Sequence, residues 1–371
     1  MNLAFSEEQE ELRSIVRQFL DAKSPESAVR EAMATDRGYD EGVWSQMAEQ
    51  LGLQSLIIPE EHGGQGFGFM ELVIVMEEMG RALLCAPYFS TVVLAATTLL
   101  ESGDEQACQD LLPGIAAGET IATLALTEPS GRWDDAGVAA VATEADGAWR
   151  ITGTKSYVID GHVADVILVV ARTADGLSLF RVAGDASGLT RTLLPTLDQT
   201  RKQAQLDLDG VEGVLVGEQG GAWPVLTRVL DQAAVALAAE QVGGSQRCLD
   251  MAVEYAKDRI QFGRPIGSFQ AIKHRCADML LAVEAARSSA YYAGTCVADD
   301  SEELPGVAST TKVACSEAFA LVSGENIQIH GGIGFTWEHP AHLYFKRASA
   351  MNVFLGDVSY HRQLVATRNG F

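Results

Sequence analysis

The stretch Tyr255–Met279, YAKDRIQFGRPIGSFQAIKHRCADM, interrupts a region in which apolar residues otherwise recur at helical spacing. Arg259 and Phe262 lie at the end of one predicted helix. Residues 263–267 contain two glycines and a proline, which interrupt the helical pattern, and Gln270 begins the next one. Polar side chains between two long apolar helices cost folding free energy unless a ligand or another chain binds them. We therefore interpret this joint as a ligand-binding element.

Composition limits the classes of protein to which the chain can belong. With 371 residues, 47% hydrophobic and 21% charged, it is long enough for two or three domains. A net charge of −23 argues against nucleic acid and anionic membrane surfaces as partners. We find neither an apolar run of ~18 residues nor a signal peptide. Six scattered cysteines without a CxxC pair predict free thiols in a reducing cytoplasm.

Hydrophobic periodicity divides the chain into three parts. Residues 1–120 have helical spacing and begin with a capping box, Ser6 with Gln9. Residues 121–220 contain short apolar runs between turn residues, which predict a small antiparallel barrel or sandwich. Residues 221–371 return to helical spacing in long segments. The predicted fold class is therefore α+β, with an N-terminal helical domain, a central β-domain and a C-terminal helical bundle.

Several polar or glycine-rich segments lie where a purely structural protein would not need them. Together they resemble the acyl-CoA dehydrogenase family across essentially the whole chain, and the pieces that carry the resemblance are FSEEQ (5–9), PEEHGGQG (59–66), TEP (127–129), RIQFGRPIGSFQ (259–270) and QIHGGIGF (328–335). The resemblance implies a four-helix C-terminal domain, tightly bound FAD and a tetramer. It also implies an acyl-CoA substrate, a 2,3-enoyl-CoA product and an electron-transfer flavoprotein as electron acceptor.

The resemblance assigns the phosphate and adenosine end of FAD to the joint and to the glycine turn that follows it in sequence. Arg259, whose guanidinium suits phosphate geometry, would contact the pyrophosphate of the FAD bound in a neighbouring subunit, together with Phe262. Glycines allow the backbone to approach a ligand closely. The residues implied at the adenosine end are Gln270, Gln328, Gly331 and Gly332.

The resemblance assigns the flavin ring to the β-domain. Thr127 would hydrogen-bond the isoalloxazine through its backbone or its hydroxyl. Tyr157 occupies the position where the family usually has Trp, so an aromatic contact is kept. Ile159 replaces a usual hydroxyl donor, which predicts altered flavin electronics. Asp357 replaces a Thr expected near FAD.

The catalytic base is missing from both positions where the family keeps a glutamate. Those positions are Leu355, after the glycine turn, and Ala233, on the first long C-terminal helix. Glu240 lies two turns beyond Ala233 on the same helical face, where burial would raise the pKa of its carboxyl as a general base requires. The alternative is that Glu240 is satisfied by an arginine such as Arg247, by a tetramer contact, or by a polar substrate tail. Asp357 is the second candidate base.

Three readings of the function follow from this. The first is an FAD-dependent acyl-CoA dehydrogenase of lipid β-oxidation acting on a bulky or branched acyl group, as the C-terminal Tyr360-His361 variant suggests. The second is a base-lacking subunit that completes its partner's FAD site in a heterotetramer. The third is a flavin oxidase or monooxygenase, or an enzyme acting on carrier-bound acyl groups. We expect no metal at His339 and His342, since this HxxH spacing is interrupted by Pro340 and lacks a third ligand.

Overall fold

The structure, a computed structural model, describes residues 5–370. Long helices dominate the C-terminal half, as the periodicity predicts. The helices are α1 (Glu7–Lys23), α2 (Glu26–Ala34), α3 (Glu41–Glu49), α4 (Phe69–Ala82), α5 (Thr97–Glu101), α6 (Glu105–Ala116), α7 (Ala222–Asp258), α8 (Gln270–Ala298), α9 (Leu304–His330), α10 (Ala341–Val353) and α11 (Val358–Arg368). A π-helix, Phe89–Ala96, precedes α5.

The strands lie between α6 and α7, with one short hairpin in the joint. They are β1 (Ala122–Ala125), β2 (Val141–Ala145), β3 (Ala148–Ile159), β4 (Val166–Thr173), β5 (Gly176–Ala183), β6 (Leu189–Leu194), β7 (Gln203–Val216), β8 (Ile260–Gln261) and β9 (Arg264–Pro265). The predicted order of helices, β-domain and helices is confirmed.

The chain divides into two compact units, and the first contains the seven-stranded sheet. This unit comprises Glu31–Gly68 and Cys85–Ala233. Strands β4, β2, β3, β7 and β5 pair in that order, and β5 pairs back to β4, so the pairings close a ring. Most pairs are antiparallel, but β4 pairs in parallel with β1 and with β2. Ring closure leaves β1 and β6 as additions to the barrel rather than members of it.

The second unit is helical. It contains the chain up to Arg30, Phe69–Leu84 and the chain from Ala234 onward. Its core includes a cluster of small buried side chains from α7, α8 and α9: Ala238, Val242, Ala286, Ala290, Cys315 and Ala318. Side chains of this size allow helices to pack closely, which explains the alanine-rich composition of α7.

Helices α4 and α7 touch through their backbones. A Cβ added to Gly80 of α4 would lie 2.0 Å from the carbonyl oxygen of Glu240 on α7. Reciprocally, a Cβ added to Gly243 of α7 would lie 1.8 Å from the carbonyl oxygen of Glu77 on α4. Both positions therefore require glycine because of close approach, not because of an unusual φ.

Three local predictions can be checked directly. The capping box is confirmed, since Ser6 Oγ accepts from the Gln9 N–H at 3.2 Å and Gln9 Oε1 accepts from the Ser6 N–H at 3.0 Å. All six cysteines are free thiols, and five of them are buried. Within residues 5–370, no helix combines the length and apolar character needed to cross a membrane.

Candidate active site

In the barrel unit, a bulge in β3 places Tyr157. The pairing of β3 with β7 shifts register between Lys155 and Val158. Tyr157 lies within this irregularity at φ +61°, a conformation that is rare for a large side chain and clusters at functional sites. Its side chain is 45% exposed although β3 is largely buried around it. The bulge thus presents an aromatic ring at the surface of this unit, as a flavin contact requires.

Thr127 is tied to the residue next to Tyr157. Its hydroxyl donates to the Ser156 carbonyl at 2.6 Å, and the Ser156 N–H donates to the Thr127 carbonyl at 2.9 Å. Because its one hydroxyl proton is used in this way, the side chain of Thr127 is left with lone pairs to offer a ligand. A hydrogen bond donated to the isoalloxazine would therefore come from the backbone.

Glu128 and Lys155, which lie next to Thr127 and close to Tyr157 in the sequence, form a buried ion pair. Lys155 is fully buried, and its Nζ lies 2.7 Å from Glu128 Oε1 and 3.1 Å from the Leu126 carbonyl. Burial lowers the pKa of Lys155 to about 8. Burial alone would raise the pKa of Glu128, but the hydrogen bonds from Lys155 and from two backbone N–H groups outweigh it and lower that pKa. The pair fixes the TEP segment against β3.

Ile159 lies at the end of β3 and is buried within the barrel unit. Its carbonyl accepts from the Thr123 hydroxyl at 2.7 Å. The side chain offers no hydrogen bond, so its role beside the flavin remains a prediction.

In the helical unit, the joint is a small exposed hairpin. Strands β8 and β9 pair, and Phe262 lies at the turn with φ +52° and 92% of its surface exposed. Arg259 is exposed, and within residues 5–370 its guanidinium makes no hydrogen bond or ion pair. An apolar ring and a guanidinium held out on a paired hairpin fit a ligand or partner outside this unit.

The start of α8 and the end of α9 lie at one end of the helical unit, since the two helices are consecutive and pack against each other. Gln270 opens α8 and Gln328 lies in the last turn of α9, and both are exposed. Gly331 follows at φ +64°, and a Cβ added to it or to Gly332 would meet nothing within 4 Å. Open backbone at these two glycines leaves room for a ligand to approach closely, and the assignment of the adenosine end of FAD to them stays a prediction.

Glu240 is held by an arginine. Arg347 of α10 donates from Nη1 to Glu240 Oε1 at 2.5 Å, and both residues are 2% exposed. The guanidinium therefore engages the carboxylate oxygen that a general base would use to take a proton. The contact supports the alternative in which an arginine satisfies Glu240, although the arginine is Arg347 rather than Arg247. Whether Glu240 is the base remains a prediction.

Neither usual glutamate position offers a substitute acid. Leu355 is buried at φ +61°, and its carbonyl accepts from Nε2 of His361 at 2.9 Å. Ala233 is fully buried in α7. Asp357 is exposed and caps the N-terminus of α11, accepting from the Tyr360 N–H at 2.7 Å. A capping carboxylate in solvent lacks the dry surroundings that a base for this reaction needs.

The two histidines of the HxxH spacing have different neighbours. His339 packs against the ring of His330, and His342 packs edge-on against Trp337. Within residues 5–370, no group of three potential protein ligands is placed to hold a metal ion.

Sequence reasoning assigned no role to Lys155 or Arg347. Lys155 carried a detectable signal, because it sits in a strand that is otherwise apolar on its buried face. Arg347 did not, because 107 residues separate it from Glu240.

Comparison with known proteins follows the same division of the chain. Three models match: acyl-CoA dehydrogenase, N-terminal domain, over residues 6–119; middle domain, over 123–211; and C-terminal domain, over 220–369. The chain belongs to the acyl-CoA dehydrogenase family. Its members are FAD-dependent flavoproteins and oxidoreductases that act on CH–CH bonds, so the resemblance stated from the sequence and the enzyme class are confirmed.

The chain is also similar to individual members of the family. Acyl-CoA dehydrogenase IpdE2 of Mycobacterium tuberculosis is 40% identical over 344 residues, which cover 92% of this chain and 91% of the relative. The ChsE4-ChsE5 complex of the same organism contains a chain that is 30% identical, with TM-score 0.91 and coverage of 100% and 99%. A variant of the steroid ACAD Tcur3481-Tcur3483 is 32% identical, with TM-score 0.88 and 97% coverage of both chains.

Proposed function

We propose that this acyl-CoA dehydrogenase acts in the α,β-dehydrogenation of a bulky acyl-CoA as the base-lacking subunit of a mixed assembly. The observation that carries the proposal is the Glu240–Arg347 ion pair at 2.5 Å, which occupies the substitute carboxylate while Leu355 and Ala233 stand at the usual glutamate positions. The two-component name of the ChsE4-ChsE5 complex supports a mixed assembly. The steroid ACAD supports a bulky, ring-containing acyl group.

The chain's own groups would hold FAD in two places. Arg259 would neutralise the pyrophosphate of an FAD bound in a neighbouring subunit, and the open backbone at Gly331 and Gly332 would admit an adenosine end. Tyr157, presented by the β3 bulge, would pack against the flavin, with Thr127 beside it. FAD held by these residues would supply the hydride acceptor for the β-carbon of the acyl group. We propose an electron-transfer flavoprotein as the acceptor that reoxidises it.

The missing step is the removal of the α-proton. It needs a carboxylate close to the α-carbon in a dry site. In the proposed assembly the partner subunit supplies that carboxylate, and this chain supplies cofactor contacts from its exposed joint. The exposed Phe262 and the unpaired Arg259 support this role, because both project from the described part of the chain on a hairpin.

The test compares the chain expressed alone with the chain co-expressed with a second acyl-CoA dehydrogenase subunit that carries a glutamate at the position matching Leu355 or Ala233. We expect the chain alone to hold less than one FAD and to show no flavin bleaching with any acyl-CoA under anaerobic conditions. We expect the mixed assembly to be yellow and to bleach with a ring-containing acyl-CoA. Bleaching by the chain alone, with one FAD per chain, would contradict the base-lacking proposal.

A second candidate function keeps Glu240 as the base of a homotetramer, and its burial on α7 favours that reading. The rate at which oxygen reoxidises the reduced flavin tests the oxidase or monooxygenase alternative. If bleached flavin is reoxidised by oxygen as fast as by an electron-transfer flavoprotein, the enzyme is an oxidase or monooxygenase rather than a dehydrogenase.

A further inference from the structure

Three rings lie in contact at the end of the helical unit where α7 and α9 end. Tyr255 of α7 stacks on His330 of α9, with ring centroids 4.4 Å apart. His330 in turn packs against His339, which follows the glycine turn, at 4.1 Å. We call these three residues the ring stack. It ties the helix that enters the joint to both ends of the segment 331–338.

The segment enclosed by the ring stack carries the glycine turn and exposed apolar side chains. Gly331 and Gly332 lie at its start, and Phe335 and Trp337 are 78% and 59% exposed. The segment itself has little regular structure beyond one short 3₁₀ turn. Contact between His330 and His339 therefore joins the two ends of this loop, whose middle is held by hydrogen bonds of Thr336 to Ile333 and by Trp337 against His342.

The hydrogen bonds of His339 define its protonation state. Its Nδ1 accepts from the Ala341 N–H at 3.1 Å, so Nδ1 carries no proton in this arrangement. Ala341 is the first residue of α10, and the N–H groups of a helix's first turn disfavour a positive charge. His330 differs, because its Nδ1 lies 2.8 Å from the Asn326 carbonyl and donates to it.

The groups that face the ring stack add to this preference for neutral rings. Burial lowers the pKa of His330 and, together with the charge of a protonated His330, that of His339. Of the neighbouring acids, Glu26 is already paired with Arg30. The charged or titratable neighbours are Arg247 and Tyr255 from α7, Glu26 and Arg30 from α2, and His342 and Lys346 from α10.

We propose that the ring stack positions the glycine turn for the adenosine end of FAD, and that protonation of His339 opens it and weakens FAD binding. A proton taken from solvent by Nδ1 sets an N–H donor against the Ala341 N–H and a cation against Arg247, whereas the paired Glu26 and Arg30 act on it in opposite directions. The closed stack therefore binds this proton less well than the open one. The closed ring stack is favoured at pH values above the ordinary pKa of histidine. Its stability decreases as the pH falls through that pKa. This inference rests on the proposed FAD site.

Two substitutions of His339 distinguish the contribution of its ring from the contribution of its protonation. His339→Phe keeps a ring against His330 but removes both the Nδ1 acceptor and the titration. His339→Asn keeps a side-chain acceptor for the Ala341 N–H but removes the ring. His162→Asn, in the barrel unit, is the matched histidine control, since its ring contacts only the Arg37 carbonyl among the hydrogen bonds of residues 5–370.

The experiment measures the dissociation constant of FAD for the full chain in its assembled form at about pH 7.5 and about pH 5. For the unsubstituted chain and His162→Asn we expect binding to weaken by about tenfold at the lower pH. His339→Phe should bind normally at the higher pH and lose most of that pH dependence. His339→Asn should bind weakly at both. Identical pH profiles for the unsubstituted chain and His339→Phe would overturn the proposal.

Hydrogen–deuterium exchange of residues 328–341 in the apoprotein provides a readout that needs no FAD. Corrected for intrinsic rates, exchange should rise at the lower pH in the unsubstituted chain but not in His339→Phe. Equal protection at both pH values would overturn the opening of the stack. If no form of the chain binds FAD at the higher pH, the proposed function fails, whereas the exchange result still decides whether the stack opens.

Discussion

Glu240 and Arg347 form a direct ion pair, 2.5 Å between Oε1 and Nη1, in which both residues are 98% buried. A pair so far from water costs a large desolvation free energy for each ion. The main contribution of each residue to stability is therefore to compensate the buried charge of the other. The pair connects α7, which carries the Ala233 position, to α10, which leads into Leu355.

Replacement of Arg347 should destabilise the fold more than an average substitution. Arg347→Met leaves the Glu240 carboxylate buried without its cation, and we expect the free energy of unfolding to fall by about 3–5 kcal/mol. Chemical denaturation followed by circular dichroism measures it. The double variant Arg347→Met with Glu240→Leu should recover at least half of the loss. A single variant within about 1 kcal/mol of the unsubstituted chain would show that the pair contributes little.

Glu240→Gln tests whether this residue takes the α-proton. In the mixed assembly we expect the rate of anaerobic flavin bleaching to stay within about threefold, because the partner supplies the base. Stopped-flow absorbance with a ring-containing acyl-CoA measures the rate. A loss of more than about a hundredfold, with FAD content unchanged, would instead identify Glu240 as the base. Glu254→Gln, at an exposed carboxylate of the same helix α7, is the matched control, and we expect it to bleach normally.

Arg259 should contribute to FAD affinity through its shape as well as its charge. Arg259→Ala should weaken FAD binding by about thirtyfold, and Arg259→Lys should recover only part of that, since an ammonium cannot make the bidentate contact with phosphate. Fluorescence titration of the apoprotein measures both. Lys257→Ala, an exposed cation near the end of α7, should have no effect. Equal affinity of the Arg259→Ala variant and the unsubstituted chain would remove Arg259 from the cofactor site.

His361 should make stability depend on pH. Burial lowers the pKa of His361 to about 4, and its Nε2–H donates to the Leu355 carbonyl at 2.9 Å. The unfolded chain therefore takes up this proton first as the pH falls. The stabilisation is complete above about pH 6.5 and is lost progressively towards pH 4, by up to about 3 kcal/mol.

His361→Gln is the variant that checks this prediction. Glutamine can donate to the same carbonyl but does not titrate, so the slope of unfolding free energy against pH should flatten between about pH 6.5 and 4. His342 also has its pKa lowered to about 4 by burial, so part of the slope should persist. An unchanged slope in His361→Gln would assign the whole effect to other groups.

Local pattern was sufficient to predict the elements in which one periodicity runs without interruption. The helical spacing along α7 and the Ser6 capping box are examples, because each depends on residues within a few positions of one another. Strand β6, LTRTLL, gives no comparable signal, because its burial does not alternate. The end of β3 gives none either, because its bulge at Tyr157 breaks the period of two.

The candidate site was predictable only where it consists of contiguous motif residues. Arg259, Phe262 and the glycine turn could be named because each lies in a long characteristic segment. The partners of Glu240 and Glu128 could not, since Arg347 and Lys155 reach them across 107 and 27 residues through the tertiary fold. Burial of Glu240 was correctly expected, but its meaning depends on the neighbour that the sequence does not specify.

The crossing of α4 and α7 at Gly80 and Gly243 fixes how far α7 can slide. Each helix inserts a backbone carbonyl into the gap left by the other's missing side chain, at Glu240 and at Glu77. A shift of either helix by one residue would bring a side chain onto a carbonyl, so only one register is compatible with contact. This crossing therefore fixes the position of α7 along α4, and with it the position of the Glu240 turn and of the joint at Arg259 relative to α4.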